Sequence, residues 1–205
     1  MSNRNVPVVL HFNNSAIGVK DDKQEAYILI LMRRYSLLGI EHPTHKRVAG
    51  VTSRLLIANI KVDEIRKRRW SSVVVNNPSN CNAFVMPNGF IFVFSVLAAV
   101  ANDDQLSIIV GHEMAHCILR HMDHRRSLTT RRSHETEADR VGLELAANAC
   151  IDVTQGYQLW ETLSKLRGPN TRIWWLKTHT TRKSRARYLY SLIPATMELQ
   201  KQAGC

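Results

Sequence analysis

The sequence predicts an α+β fold that is mostly α-helical, with a small antiparallel β-meander beside one central helix. Apolar residues recur at helical spacing through most of the 205-residue chain, whereas residues 70–94 have the pattern of short strands and turns. The length suits one hydrophobic core. We therefore expect an N-terminal loop and helix over residues 1–45 and one compact domain over residues 46–205.

Two helices are predicted before the strands, over residues 24–39 and 46–60. Apolar side chains recur at helical intervals in both segments. Gly39 marks the end of the first helix, and Pro43 separates the two. Residues 63–69 are charged and are interpreted as a connection.

Three strands are predicted over residues 70–75, 82–86 and 90–94. The polar stretch around Pro78 is typical of a turn, and Pro87-Asn88-Gly89 is typical of a tight turn. Consecutive strands joined by such turns form an antiparallel meander.

The first long helix after the strands is predicted to begin at a capping residue. Asn102 can accept hydrogen bonds from the first turn, and Asp103 and Asp104 place negative charge at the helix N-terminus. A basic connection over residues 120–132 follows this helix. Further helices are predicted over residues 134–150, 154–166 and 181–199, the last kinked or interrupted at Pro194.

The central helix carries the sequence H-E-x-x-H over residues 112–116. His112 and His116 are four residues apart, so both imidazoles lie on one helix face and can reach one metal ion. Glu113 lies between them, where its carboxylate can take a proton from a water. This is the signature of zinc peptidases, in which the metal lowers the pKa of that water towards about 7.

A third ligand is needed beside the two histidines, and Glu135 is the candidate. Glu135 and Asp139 share one face of a predicted helix, so Glu135 at the metal would bring Asp139 near the free N–H of a ligating imidazole. Two histidines and a glutamate form a catalytic rather than a structural zinc set. The alternative is an acidic, solvated helix start.

Three stretches of the chain together resemble one known family. They are N-A-F-V-M-P-N-G-F-I-F-V-F at residues 82–94, G-H-E-M-A-H at residues 111–116 and E-T-E-A-D-R-V-G-L-E-L-A at residues 135–146. In this order they resemble the gluzincin metalloendopeptidases of the HtpX and CAAX prenyl-protease class, and the similarity runs over about residues 51–192. The resemblance implies a zincin-like metallopeptidase domain, and it is strongest to the mitochondrial inner-membrane members of the class.

The resemblance also implies a role for each matching residue. His112, His116 and Glu135 match the ligands of one Zn²⁺ per chain, and Glu113 matches the general base. The implied function is hydrolysis of peptide bonds in membrane-associated proteins during mitochondrial protein quality control.

Two other parts of the family pattern concern the transition state and the substrate. His179 and Arg185 match a late pair that stabilises the oxyanion, although Thr180 replaces the proline of the relatives. The resemblance also implies a strand and turn beside the cleft, where an extended substrate adds as a further strand. The residues that match this strand and turn are Asn82, Ala83, Phe84 and Gly89.

A departure from the family leaves a second function open. Relatives have a much longer, partly hydrophobic segment between the second histidine and the third ligand, whereas only residues 117–134 intervene here. The alternative is a catalytically impaired scaffold or binding protein that keeps the zinc site.

The net charge of +11 indicates anionic partners or surfaces. We expect a protein or peptide substrate in extended conformation and peripheral contact with an anionic membrane, and we expect no nucleic acid. No apolar stretch is long enough to span a bilayer, so association with the mitochondrial inner membrane follows from the resemblance alone. The sequence does not indicate an oligomeric state.

Histidines and cysteines outside the motif are interpreted more simply. His121, His124 and His134 are interpreted as solvated connector residues, because their spacing fits no single helix face with the two motif histidines. The four cysteines are scattered without a C-x-x-C pattern, which predicts no disulfide framework and fits a reducing compartment.

Overall fold

The computed structural model describes residues 30, 33, 35–121, 128–165 and 182–205. They form an α+β fold with a small sheet, as predicted. The strands are β1 Ser36–Leu37, β2 Ser71–Asn76, β3 Ala83–Val85 and β4 Phe90–Phe94. The helices are α1 Pro43–Ala58, α2 Asp63–Arg66, α3 Ser95–Val100, α4 Asp103–Ile118, α5 Leu128–Asn148, α6 Gln155–Lys165 and α7 Arg182–Ala203.

The sheet is mixed, with strand order β1-β2-β4-β3. The predicted antiparallel meander is therefore wrong in its pairing, because β2 runs parallel to β4 with Ser71 opposite Phe90. The tight turn before Phe90 does form the predicted hairpin, in which β3 and β4 are antiparallel. Since β3 occupies one side of β4, β2 pairs with the other side, and the chain crosses over between β2 and β3.

Several helix boundaries differ from the predicted ones. Residues 30 and 33 are helical, but Ser36–Leu37 pairs with the end of β2 instead of continuing a helix to Gly39. Helix α1 begins at Pro43, because the missing backbone N–H of proline costs no hydrogen bond in the first turn of a helix. The His42 side chain caps that turn by accepting a hydrogen bond from the Thr44 amide. Within the charged connection, Asp63–Arg66 forms one helical turn.

Two of the later helices, α5 and α7, are longer than predicted, whereas α6 is slightly shorter. Helix α5 begins at Leu128, inside the basic connection, and α7 continues through Pro194 without interruption. Helix α7 packs against α5 and α6. These tertiary contacts support it although proline removes one backbone donor. Within the described residues, no helix combines the length and apolar character needed to cross a bilayer.

The main core lies between one face of the sheet and the helices. Val74, Ile91 and Val93 point into it from the strands, and α4 lies at its centre, buried from Gln105 to Cys117. The opposite face of the sheet carries a second apolar cluster. Its buried members are Val73, Val75, Met86, Phe92 and Phe94.

A disulfide joins Cys150 to Cys205 across a sequence separation of 55 residues. The scattered cysteines predicted no disulfide framework, yet these two are joined, because helix packing brings two distant chain segments together. Cys150 follows the end of α5 and Cys205 follows the end of α7, and these two helices pack against each other. Cys81 and Cys117 are free and buried.

Candidate metal centre

Helix α4 starts at a capping box that fixes its N-terminus. The Asn102 side chain accepts from the Gln105 amide at 2.8 Å, and the Gln105 side chain accepts from the Asn102 amide at 3.3 Å. The acidic Asp103 and Asp104 follow in the first turn, as the sequence predicts. The helix that carries H-E-x-x-H is therefore capped at its start and buried along its length.

Two glycines allow α5 to approach α4 closely. A Cβ on Gly111 would lie 2.8 Å from the Gly142 carbonyl oxygen, and a Cβ on Gly142 would lie 2.7 Å from the Cα of His112. Side chains at either position would push the helices apart. This close approach lies next to the first histidine and brings Glu135 and Asp139 of α5 to the imidazoles of α4.

Three side chains converge at this crossing. The Nε2 atoms of His112 and His116 are 3.0 Å apart. The Glu135 carboxylate oxygens lie 3.5 Å from Nε2 of His112 and 3.4 Å from Nε2 of His116. Bonds of about 2.0–2.1 Å at a tetrahedral ion place neighbouring ligand atoms about 3.3 Å apart, so these separations suit one ion. Among the described residues, this is the group of His, Cys and acidic side chains that could hold a metal.

Asp139 and Arg185 lie behind His112. The Asp139 carboxylate is 3.1 Å from Nδ1 of His112, and Arg185 donates to it through Nη2 and, at 2.7 Å, through Nε. Nη1 of Arg185 is 3.0 Å from Glu135. The guanidinium thus bridges two buried carboxylates.

The charges of this group shift one another's pKa values. Burial opposes the charged form of Asp139, but Arg185 and His112 outweigh it and hold the pKa of that carboxyl below its usual range. Burial lowers the pKa of His112, and hydrogen bonds to Asp139 and Glu135 outweigh this and raise it to about 9. Without a metal, a proton on His112 is therefore favoured in this site.

Two of the predicted solvated histidines instead pack against each other, and one of them, His121, contacts His116. Nδ1 of His121 is 3.2 Å from Nδ1 of His116, and the His121 side chain is only 4% exposed. The His134 ring stacks on His121 with centroids 3.9 Å apart. Burial, together with the charges of His116 and His134, lowers the pKa of His121 to about 4. The third histidine of that interpretation, His124, lies outside the described residues.

No sequence pattern predicts this placement of His121. Helical spacing would put residues five apart on different faces. The chain instead leaves the helix at Arg120, which has a φ of 57°. Such a left-handed residue is usually glycine, and no glycine marks it here.

The remaining predicted site residues lie at several places. Glu113 is buried on α4, and its charge acts on His116 and Arg185. Residue 179, the predicted His179 of the late pair, lies outside the described residues. Of that pair, Arg185 has its guanidinium at Asp139 and Glu135.

The predicted substrate strand lies at one end of the sheet, within the described residues. The Oδ1 atom of Asn82 is buried there without a hydrogen-bond partner among the described residues. Ala83 faces the main core, whereas Phe84 stacks on Phe92 in the second cluster, with centroids 4.8 Å apart. Gly89 has a φ of 90°, and a Cβ there would lie 2.1 Å from the Arg69 carbonyl oxygen, so the tight turn requires glycine.

Comparison with protein families gives a match to the model of peptidase family M48, over residues 43–130 and 124–193. The chain belongs to peptidase family M48. Peptidases of this family are metal-dependent, and the M48 match includes both motif histidines and Glu135.

Curated relatives are similar over most of this chain. It is 34% identical to the zebrafish (Danio rerio) mitochondrial metalloendopeptidase OMA1, over 83% of this chain and 45% of that protein. It is 32% identical to human OMA1 over 77% of this chain and 39% of that protein. The Saccharomyces cerevisiae protein of the same name is 25% identical, over 82% of this chain and 61% of that protein. The chain thus spans less than half the length of its vertebrate relatives.

Proposed function

We propose that this chain is a zinc-dependent metalloendopeptidase that hydrolyses peptide bonds of membrane-associated proteins in mitochondrial protein quality control. The convergence of His112, His116 and Glu135 at separations suited to one tetrahedral ion carries the proposal. The M48 match and the names of the relatives support it.

Two imidazoles and a carboxylate are a donor set that suits Zn²⁺, with a fourth position open for substrate or water. Bound zinc would polarise the scissile carbonyl and lower the pKa of water to about 7. Glu113, one residue after His112, takes the proton of the attacking water and delivers it to the leaving amine. His179 supplies positive charge or a donor to the oxyanion.

Arg185 supports this chemistry mainly by holding carboxylates in place. Its guanidinium contacts Asp139 and Glu135. It therefore positions the ligand Glu135 and also Asp139, the hydrogen-bond partner of the ligand His112. We propose this positioning role beside the oxyanion role that the resemblance implies.

The substrate binds in extended conformation beside β3, which ends the sheet within the described residues. Backbone groups from Ala83 to Val85 offer a strand edge near α4, and Asn82 directly precedes this edge. Phe84 and Gly89 would shape this edge, through aromatic stacking and through the turn.

The protein acts at the mitochondrial inner membrane as a peripheral partner of anionic lipid. The relatives are named mitochondrial, and the chain carries a net charge of +11. Exposed Arg131 and Arg132 at the start of α5 contribute to this charge. We propose that residues 46–205 form the peptidase domain and that nucleic acid is not a partner.

Zinc content and peptidase activity test the proposal together. We expect one zinc per chain by elemental analysis, and cleavage of an unfolded protein such as casein that Glu113→Gln reduces by at least about 10²-fold. The Glu113→Gln variant should retain its zinc, since it alters no ligand. If the protein binds zinc but shows no peptidase activity that Glu113→Gln reduces, the result would instead support the scaffold function. A folded wild-type protein without zinc would overturn both.

A further inference from the structure

His116 Nδ1 faces the ring of His121, and this contact has a defined direction. Nε2 of His116 points towards His112 and Glu135, so a metal there leaves the proton of His116 on Nδ1. That Nδ1 lies 3.2 Å from Nδ1 of His121, which must then accept through its lone pair. The remaining proton of a neutral His121 is on Nε2, and Nε2 lies 3.1 Å from the Glu137 carboxylate.

The two hydrogen bonds are therefore compatible in only one arrangement of protons. His116 donates from Nδ1 to His121, and His121 donates from Nε2 to Glu137. We propose that His121 is a positioning residue, which holds the ring of the metal ligand His116 and is itself held by Glu137. This inference rests on the proposed metal site.

The backbone brings His121 to this place through the turn that ends α4. The amide of His121 donates to the carbonyl of His116 at 2.9 Å, and the amide of Arg120 donates to the carbonyl of Cys117 at 3.3 Å. Together with the positive φ of Arg120, these bonds form a Schellman motif. A non-glycine residue in this conformation is strained, and such strain occurs often at functional sites.

Helix α5 fixes the His121 ring from the other side. The His134 ring stacks on it with an angle of 5° between the planes, and the Glu137 carboxylate accepts a hydrogen bond from its Nε2. His134 and Glu137 flank the ligand Glu135 on the same helical turn. One turn of α5 therefore supplies the ligand Glu135 and both residues that orient His121, the hydrogen-bond partner of the ligand His116.

The same cluster does not form a second metal site. In stacked parallel rings, the nitrogen lone pairs of His121 and His134 lie in parallel planes and do not converge on one ion. The described residues that could hold an ion remain His112, His116 and Glu135.

Zinc affinity separates this positioning role from a simple packing role. His121→Phe keeps an aromatic ring for His134 to stack on but removes both nitrogens. We expect about 10–100-fold weaker zinc binding in competition with a chromophoric chelator. His121→Asn keeps an acceptor oxygen near the place of Nδ1, so it should restore affinity to within about threefold of wild type.

The thermal midpoints of the metal-free proteins establish that each variant folds. If wild type binds zinc and folded His121→Phe binds it equally well, the inference is wrong. It is also wrong if His121→Asn loses as much affinity as His121→Phe. If wild type itself binds no zinc, the proposed function fails first, and the positioning role has no ligand to act on.

A spectroscopic measurement tests the direction of the hydrogen bonds without activity. In the zinc-loaded protein, ¹⁵N–¹H correlation of the imidazole rings should show the proton of His116 on Nδ1 and that of His121 on Nε2. A proton on Nδ1 of His121 would overturn the proposal, because that nitrogen could then not accept from His116.

Discussion

His112 and His116 share one face of α4, but different side chains contact their outer nitrogens. On the buried side, Nδ1 of His112 faces Asp139, whose side chain is 3% exposed and which is paired with Arg185. On the solvent-facing side, here called the rim side, Nδ1 of His116 faces His121. His121 in turn donates a hydrogen bond to Glu137, whose side chain is 44% exposed. The first arrangement places full charges in the core, and the second places a neutral ring between a ligand and a solvated carboxylate.

Because of this difference, substitutions on the two sides should affect folding stability and zinc affinity to different degrees. Removing one member of a buried charged group leaves the others uncompensated, and that destabilises the fold itself. A solvated carboxylate can be removed at little cost to folding. We therefore expect changes on the buried side to alter both unfolding and zinc affinity, and changes on the rim side to alter mainly zinc affinity.

The largest effect should follow Arg185→Met, which removes the cation between Asp139 and Glu135. We expect a loss of about 3–5 kcal/mol in the unfolding free energy of the metal-free protein, measured by urea denaturation at pH 7. Arg187→Met, at an exposed position of the same helix, is the control and should change stability by less than about 0.5 kcal/mol. Similar losses in both variants would contradict the distinct role of the buried side.

The loss in Arg185→Met should also depend on pH. The pKa of Asp139 is lower in the folded protein than in the unfolded chain. Its ionised carboxylate therefore stabilises the fold fully at a pH above the unfolded-state pKa, and this stabilisation disappears as the pH falls through the folded-state pKa. Protonated carboxyls no longer repel each other, so the difference from wild type should narrow below about pH 4. A difference that stays constant from pH 7 to pH 3 would argue against an electrostatic cause.

Reduction of the disulfide should have the next largest effect, because Cys205 ties the end of the helix that carries Arg185 to the end of α5. We expect a loss of about 2–4 kcal/mol, seen as a lower thermal midpoint in dithiothreitol. Cys205→Ser is the matched variant. It should have the lower midpoint without reductant and show no further change when reductant is added.

Gly142→Ala tests the helix crossing beneath the buried side. The new Cβ would lie 2.7 Å from the backbone of His112, so the helices must separate, at a cost of about 1–3 kcal/mol and with weaker zinc binding. Gly50→Ala is the control, since Gly50 lies in α1 with open space around it. That substitution should stabilise the protein by about 0.4–1 kcal/mol.

The smallest effect on stability should come from Glu137→Ala on the rim side. It leaves His121 free to rotate, so we expect zinc affinity to fall about 3–10-fold while unfolding changes by less than about 1 kcal/mol. Glu144→Ala, on the same helix and paired with Arg140, should leave zinc affinity unchanged. Asp139→Asn completes the comparison and should weaken both stability and zinc binding.

The sequence by itself determined the parts of this protein that depend on local periodicity. The spacing of His112 and His116 places both on one face of a helix, and Asn102 with its acidic neighbours marks where that helix begins. The M48 motifs indicated the family, and the turn before Phe90 indicated a hairpin. Each of these features involves residues within a few positions of one another.

Tertiary structure decided the features that join distant segments. The parallel pairing of β2 with β4 and the disulfide between Cys150 and Cys205 depend on packing that no local pattern encodes. The same holds for Arg185, whose contacts with Asp139 span 46 residues. His121 reaches His116 only because Arg120 adopts a left-handed conformation, and the backbone hydrogen bonds that end α4, rather than the residue's own preference, stabilise that conformation.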